Sequence, residues 1–510
     1  MKTKGMKHQL RGLDASEGKR NFAFFMEQGT GKTWVTLADG ERCFVGNKID
    51  AVVVFAPKGV HSNWVLREIP KHLGVASVSF AWNGPVKTKK QKEGLARLYT
   101  SESRFTEPTL RILSINFEAM LRPEAIEVVR EFMNSFRVMA VVDESKKIGN
   151  PKAKRTVNII NAGRAATARR ILSGKPLTKA PMDLFSQFDF LKEGLLGTTS
   201  YRAFVSEYAV LLDPQSPQMQ GLIRKMGPKA AFAQVVATEK VVDEETGATV
   251  ERKQYKNLDK LAAMIAPHVF RVRKSECLDL PPKVYKKVYF DMTDAQQAVY
   301  DELKNELAYA SQQEGPQSFV AIAARAKMQQ CTSGYINVNG KPEIMAPEDN
   351  PRMREYLDVV DDIPEDKSFI TWAIGREEIR QICVALEAEG ISYVEYHGGV
   401  SDEDREIAID DFQNGRVRAF VCNKAAYAGL TLTRATYSLY YSCDFDNDVR
   451  GQSEDRCHRI GTTESVLYVD FIARGTINED VAASLAFKDH IADIVIDNDR
   501  KEVATFVENG

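Results

Sequence analysis

Short, near-continuous apolar runs recur along the chain, and helical patterns fill the intervals between them. In the first half the runs lie at 22–25, 51–56, 111–115, 138–142 and 170–172. In the second half they lie at 369–372, 393–396, 419–422, 437–441 and 466–471. Runs without polar alternation suit parallel strands covered on both faces. Strands alternating with helices predict two doubly wound α/β units. The region between them differs. Val235-Val236, Val241-Val242 and 248–250 flank Glu244-Glu245-Thr246-Gly247, which predicts a hairpin insertion. The segment 294–328 is rich in Ala, Gln and Leu and predicts helix. These patterns divide the chain into a first unit at 1–197, a helical and hairpin insertion at 198–280 and a second unit at 281–490. The second unit has a helical lead-in over 291–330, and an acidic tail follows at 491–510.

The first run leads into Glu27-Gln28-Gly29-Thr30-Gly31-Lys32-Thr33, and a helical pattern follows. That is the strand–loop–helix setting of a phosphate-binding loop. Gly29 and Gly31 let backbone amides turn inward around phosphate oxygens, and the helix N-terminus adds its positive end. Lys32 is expected to reach the β- and γ-phosphates of ATP, and Thr33 to hold Mg²⁺. Gly29, Thr30 and Gly31 supply the cradle. The first glycine of the usual eight-residue pattern is replaced by Met26. The run 138–142 ends in Asp143-Glu144. A carboxylate pair ending a strand after such a loop predicts Asp143 in the Mg²⁺ shell and Glu144 orienting or deprotonating the attacking water.

Composition excludes several classes. Hydrophobic residues at 44% and charged residues at 27% rule out a mostly disordered chain, a collagen and a small disulfide scaffold. No apolar run approaches the length of a membrane span, and Met1-Lys2-Thr3-Lys4 opens no secretory signal. The seven cysteines are scattered without a CxxC pair, so a reducing compartment is expected. The formal net charge is −1, but its distribution is uneven. From 145 to 181 there are ten basic residues and no acidic one: Lys146, Lys147, Lys152, Lys154, Arg155, Arg164, Arg169, Arg170, Lys175 and Lys179. The expectation is a localised polyanion site along this stretch.

Further motifs carry a family resemblance. His8-Gln9 with Arg11 stands upstream of the loop, and Ala56-Pro57-Lys58 runs on to Asn63-Trp64. Asp143-Glu-Ser-Lys-Lys-Ile-Gly-Asn-Pro151 and Leu172-Ser-Gly-Lys-Pro-Leu177 follow. Phe270-Arg-Val-Arg-Lys274 and Leu280-Pro-Pro-Lys283 precede the second unit, which contains Tyr396-His-Gly-Gly399 with Arg405 and Phe412. Ala428-Gly-Leu-Thr-Leu-Thr433 and Gln452-Ser-Glu-Asp-Arg-Cys-His-Arg-Ile-Gly461 complete the set. In order and spacing these resemble the motifs of superfamily 2 helicases, and within them the Swi/Snf-type ATPases, over most of 6–485. Three positions depart from that pattern: Lys146 where a histidine is usual, Lys175 where a small hydroxyl residue is usual, and Thr462 in place of a common glutamine.

The resemblance implies an α/β fold of two tandem RecA-like doubly wound parallel sheets. It implies an ATP- and Mg²⁺-using, nucleic-acid-dependent ATPase acting on duplex, forked or branched DNA. Gln9 becomes the adenine contact. Arg456 and Arg459, three apart and on one face if helical, become arginine fingers onto the γ-phosphate, while His458 is structural. The segment ending in Asn63-Trp64 is expected to contact a nucleic-acid strand. Lys58, Lys147, Lys152, Arg155, the Gly398 loop and Thr431 are candidates for gripping its phosphates. A compact motor of bacterial or phage type is implied, cytoplasmic and monomeric, working beside replication or recombination proteins. Two alternatives stay open: a strand-separating helicase, including one on RNA, and a nucleotide-gated binding protein without turnover.

Overall fold

A computed structural model describes residues 1–177, 180–226, 236–242, 249–313, 319–338, 341–427, 430–443, 447–459, 461–479 and 481–482. The predicted turn at 244–247 and the tail at 491–510 lie outside these residues. The chain divides into two units.

The first unit gathers Met1–Tyr208 and Tyr255–Asp279. Its strands are β1 (Asn21–Met26), β2 (Ala51–Ala56), β3 (Ser77–Trp82), β4 (Leu110–Asn116), β5 (Val138–Asp143) and β6 (Ala168–Ser173). After an antiparallel hairpin of β7 (Thr238–Val242) and β8 (Thr249–Lys253), which groups with the second unit, the chain returns as β9 (Val269–Val272). The order is β3-β4-β2-β5-β6-β1-β9, parallel throughout. Every residue of β2 and β5 is buried, as expected of strands with helices on both faces.

The insertion expected at 198–280 is divided. Helix Tyr201–Tyr208 stays with the first unit, where Phe185, Tyr201, Phe204 and Tyr208 form a chain of ring contacts. The segment read as the crossing supplies β9, which pairs with β1 and ends the first sheet. An edge strand needs only one partner, and Val-Phe-Arg-Val is too short for periodicity to reveal it. The hairpin forms where the sequence placed it, with its first strand beginning at Thr238.

The second unit gathers Ala209–Gln254 and Leu280–Phe487. It adds β10 (Lys283–Phe290), a small hairpin of β11 (Tyr335–Val338) and β12 (Lys341–Ile344), then β13 (Ser368–Trp372), β14 (Tyr393–Tyr396), β15 (Ala419–Cys422), β16 (Ala435–Tyr440) and β17 (Val466–Ala473). The large sheet runs β10-β17-β16-β13-β15-β14, also parallel. β10 carries three lysines and four exposed positions of eight, the composition of a protected edge. The helical lead-in is two helices, Asp294–Gln313 and Phe319–Thr332. Among the described residues no helix is long and apolar enough to cross a membrane. All seven cysteines are free thiols.

Candidate nucleotide site and nucleic-acid face

β1 ends at Met26, and helix Lys32–Val45 starts after Gly31. Gly29 and Gly31 have φ of 83° and 87°, a left-handed backbone that glycine adopts without strain. A Cβ on Gly31 would fall 1.9 Å from Gln9 Nε2, so space also demands glycine there. Gln9 is buried; its Nε2 donates to the Thr30 carbonyl (3.2 Å), and its Oε1 accepts from Met6 N (2.8 Å). His8 Nε2 lies 2.7 Å from the same carbonyl, a brace for the loop that the sequence reading left without a role. Lys32 Nζ donates to the Met26 carbonyl at 2.9 Å. Met26 itself has its side chain in the core and no positive φ, so the missing first glycine is not needed.

The segment after β9 also braces the loop. Lys274 N donates to Glu27 Oε2 (2.8 Å), and Arg271 Nη1 donates to the Gly174 carbonyl (2.9 Å). A Cβ on Gly174 would sit 3.3 Å from Gln28 N, so the 172–177 segment packs directly behind the loop. Arg271 and Lys274 were expected in a crossing between units. Only the pairing of β9 with β1 brings them here.

β5 delivers Asp143 and Glu144 to the same sheet end, with β6 alone between β5 and β1. Asp143 Oδ2 accepts from Trp64 Nε1 at 2.9 Å, and its Oδ1 accepts from Glu144 N at 3.0 Å. Burial and the adjacent Glu144 charge push the Asp143 carboxyl up to about 6. Burial acts the same way on Glu144, but the Lys146 and Lys32 charges outweigh it and hold that carboxyl below its ordinary value. Lys146 Nζ lies 3.1 Å from Glu144 Oε2. The lysine that replaces the family's histidine is therefore the partner of the proposed base. Glu144 also holds a left-handed backbone, φ 55°, a strained state for a side-chain-bearing residue. Ser145 Oγ donates to Gln187 Oε1 (2.6 Å), and Gln187 Nε2 donates to the Pro176 carbonyl (2.8 Å). This joins the acidic turn to the 172–177 segment through Gln187, a buried residue that no motif marked.

Trp64 corrects an expectation. It does not face a nucleic-acid strand: it is 2% exposed, packed in the core and bonded to Asp143. It opens a π-helical turn, Trp64–Glu68, between Val60–Asn63 and Ile69–His72. Pro70 lacks the amide hydrogen that a regular α-turn requires there, and a widened turn accommodates it. The Thr33 hydroxyl and Asp143 carboxylate are hard oxygen donors that suit Mg²⁺, an ion that takes its other ligands from phosphates and water.

Lys58 follows β2, and Lys147, Lys152 and Arg155 follow β5, its neighbour; all four share the strand C-terminal end of the sheet. The three lysines are exposed. Arg155 is half-buried and donates to Glu118 Oε1 and the Lys147 carbonyl, each at 3.3 Å. The basic run is not one surface, which corrects the expectation of a single site from 145 to 181. Helix Lys154–Arg164 carries the chain back to the other end of the sheet, and β6 returns it. Arg170 is buried against Asp39 (2.7 Å), Lys146 serves Glu144, and Arg164 and Arg169 lie at the opposite pole. Lys179 lies outside the described residues.

In the second unit, helix Asn447–Cys457 ends before Arg459. The two arginines therefore do not share a helix face. Thr462 Oγ1 donates to the Cys457 carbonyl (2.5 Å) and Gly461 turns with φ 105°, which stops the helix. They converge instead on one backbone oxygen: Arg456 Nη1 and Arg459 Nη1 donate to the Leu430 carbonyl at 2.9 and 3.2 Å. Arg459 Nη1 also donates to Thr431 Oγ1 (2.8 Å), so Thr431, expected as a strand contact, is engaged by Arg459. Ala428, Gly429 and Ile460 lie outside the described residues. Gly398 is exposed in the loop after β14, and Arg405 Nη2 fastens that loop by donating to the His397 carbonyl (2.8 Å).

Beneath the helix lies a buried ion network. Arg450 pairs with Asp470 and donates from Nε to Glu454 Oε1 (2.8 Å); Glu454 Oε2 accepts from Lys283 Nζ (2.7 Å) and Tyr285 OH (3.0 Å). Burial raises the Glu454 carboxyl, yet Lys283 and Arg450 overcome that and hold it at about 2. His458 Nε2 lies 2.8 Å from the Pro281 carbonyl, in keeping with a structural role.

The SNF2-related domain matches residues 13–336, and the helicase conserved C-terminal domain matches 353–461. TATA-binding protein-associated factor mot1 of Aspergillus fumigatus is 22% identical over 409 residues, 72% of this chain and 20% of its own. An uncharacterized ATP-dependent helicase of Mycoplasma pneumoniae is 23% identical over 490 residues, 94% of this chain and 40% of its own. The chain thus spans between a fifth and two fifths of these relatives. A solved Sulfolobus solfataricus SWI2/SNF2 ATPase core in complex with dsDNA is 20% identical, covering 97% of this chain and 93% of its own with a TM-score of 0.38. The SNF2-related match alone takes in more than half of the 510 residues and runs through both the loop at Lys32 and the Asp143-Glu144 turn, so this chain belongs to the SNF2-related family.

Proposed function

We propose that the chain hydrolyses ATP with Mg²⁺ and uses the cycle to translocate on duplex DNA. The observation that carries this reading is the convergence of Lys32 and the Asp143–Glu144 pair at one end of one sheet. Glu144 is kept charged there by Lys146. Lys32 leaves the Met26 carbonyl for the β- and γ-phosphates, and Gly29, Thr30 and Gly31 present amides to them. Gln9 reads the adenine. Thr33 and Asp143 would hold the metal, which would supply charge neutralisation on the phosphates. Glu144 orients the attacking water and takes its proton. Arg456 and Arg459 release Leu430 and stabilise charge on the γ-phosphate.

Lys58, Lys147 and Lys152 grip backbone phosphates, a sequence-independent contact that a motor requires. DNA is favoured over RNA because relatives carry names such as DNA excision repair protein ERCC-6 and chromodomain-helicase-DNA-binding protein 1-like. ATPase measured beside single-stranded DNA, duplex, fork, four-way junction and RNA tests the reading. Duplex-containing substrates should stimulate most, and equal stimulation by RNA alone would overturn the choice of track. Strand separation is a second reading, favoured by the β7–β8 hairpin, which forms a two-stranded sheet of its own. It requires displacement of a labelled strand that disappears when 238–253 are removed.

A further inference from the structure

The nucleotide-binding candidates occupy the C-terminal ends of the first sheet's strands. The opposite ends hold a feature that this chemistry does not use. An open cavity of about 900 Å³ is lined there by Lys19, Arg20, Arg164, Arg169, Lys192 and His268, with Asn21 in its wall and Glu193 as the lone carboxylate among its lining residues. The fold builds it from five places. Asn21 begins β1 and pairs in register with Arg169 of β6, while His268 directly precedes β9. Arg164 ends one helix, and Lys192 follows the helix Leu184–Leu191. β6, β1 and β9 are neighbours, so all three strands enter the sheet at this cavity.

Several of these cations are engaged by backbone. Arg20 donates to the Thr167 carbonyl (2.8 Å), Lys19 to that of Pro267 (2.8 Å), and Arg169 Nη1 to those of Phe190 and Leu191 (both 3.1 Å). These bonds fix the groups but leave their charge in place. Two buried polar atoms of the wall have no hydrogen-bond partner among the described residues: Arg169 Nε, a donor, and Asn21 Oδ1, an acceptor. Burial and the Lys19 and Lys192 charges hold the His268 ring below its ordinary range, and burial with Arg20 and Arg164 lowers Arg169. Burial is the larger cause of both shifts; the neighbouring cations add to it, and Asp189 opposes it at Arg169.

We infer that this cavity is an anion site that takes a multiply charged phosphate group, separate from the nucleotide loop. Arg169 and Asn21 form the floor, and Lys19, Arg20, Arg164 and Lys192 form a cationic rim. Phosphate oxygens accept from the exposed Lys19, Arg20, Arg164 and Lys192 groups of the rim. Six-residue strands place this site about 20 Å from the loop at the far ends of the same strands. A bound anion there cross-links the entry points of β6, β1 and β9. The other ends of those strands carry Gly174, Lys32 and Arg271, so occupancy bears on the stiffness of the loop's support.

Pyrophosphate titrated calorimetrically into the full chain without Mg²⁺ tests the proposal. Wild type should bind two equivalents and Lys32→Ala one. Lys19→Glu with Lys192→Glu in the Lys32→Ala background should weaken the remaining event at least tenfold. Glu193→Gln should tighten it, because Arg164 then loses its competing partner at 3.1 Å. If the double reversal perturbs folding by calorimetric melting, Lys192→Glu alone replaces it, since that exposed lysine makes no structural bond through its ammonium in the described contacts. The source of the phosphate is read by competition. Displacement of pyrophosphate by a short duplex identifies backbone phosphates, and its failure identifies a free anion. Absence of any binding to Lys32→Ala, or binding indifferent to the lysine reversals, overturns the site. Failure of the nucleotide assignment looks different: Lys32→Ala would then retain both equivalents.

Discussion

The acidic corner of the first unit and the arginine corner of the second are held in opposite ways. In the first, both carboxylates sit against partners that aim them. Trp64 and the Glu144 amide fix Asp143, Lys146 flanks Glu144, and His8 and Gln9 pin the loop at Thr30. In the second, Arg456 and Arg459 are bonded to a carbonyl of their own unit, Leu430, and one of them also to Thr431. A carbonyl is a weaker partner for guanidinium than a phosphate. Under the function proposed above, the carboxylates are already aimed before nucleotide arrives, whereas the two arginines, like Lys32, must exchange a carbonyl for a phosphate.

The largest test of that contrast is Glu144→Gln. It keeps the shape of the acidic corner and removes its base, so ATP should bind while turnover falls about 10²- to 10⁴-fold. Nucleotide-stimulated single-turnover assays check this, and near-normal turnover would remove Glu144 from the chemistry. Next is Arg459→Lys, which keeps charge but loses the planar fork. Losing one charge-assisted bond in the transition state predicts roughly a 10- to 100-fold drop in kcat with nucleotide affinity little changed. Arg456→Lys should show the same kinetic defect together with lower thermal stability, because Arg456 is buried and Arg459 is not.

Trp64→Phe sharpens the comparison from the other side. It preserves most packing and removes one hydrogen bond to Asp143, so the Mg²⁺ concentration for half-activation should change by about tenfold while affinity for metal-free ATP does not. Fluorescent-nucleotide binding with and without Mg²⁺ separates the two. An unchanged Mg²⁺ dependence would mean that Asp143 is aimed without its indole partner. The smallest effect is expected at the DNA face. Lys147→Ala with Lys152→Ala should flatten the slope of log affinity against log salt by about one to two. Basal ATPase should persist and DNA stimulation should fall. An unchanged slope would place the grip elsewhere.

Local chemistry was legible where one short segment holds the whole device. Gly29 and Gly31 before Lys32-Thr33, and Asp143-Glu144 ending an apolar run, are contiguous words whose backbone and side chains act together. The core strands were legible because burial on both faces leaves an unbroken apolar run. Three of the four edge strands of the large sheets were not: β3 is half-buried, β9 is short and β10 is lysine-rich, whereas β14, the fourth, showed as the run 393–396.

Pattern along the chain thus determined the α/β class, the alternation of strand and helix, and the loop and acidic turn. Each of these depends on interactions within a few residues or on a periodicity of burial. The tertiary structure alone decided that Trp64 serves Asp143 rather than a nucleic-acid strand. It also decided that Arg271 and Lys274 brace the loop, and that Arg456 and Arg459 meet at Leu430 although their helix ends between them. The basic run shows why. Ten like charges in succession read as one surface, but a strand, a returning helix and another strand spread them over both ends of a sheet. Some were buried as partners of carboxylates, and Arg164 and Arg169 went to the pole opposite Lys147. Charge along a sequence is one-dimensional, and a parallel fold reverses the chain between every pair of strands.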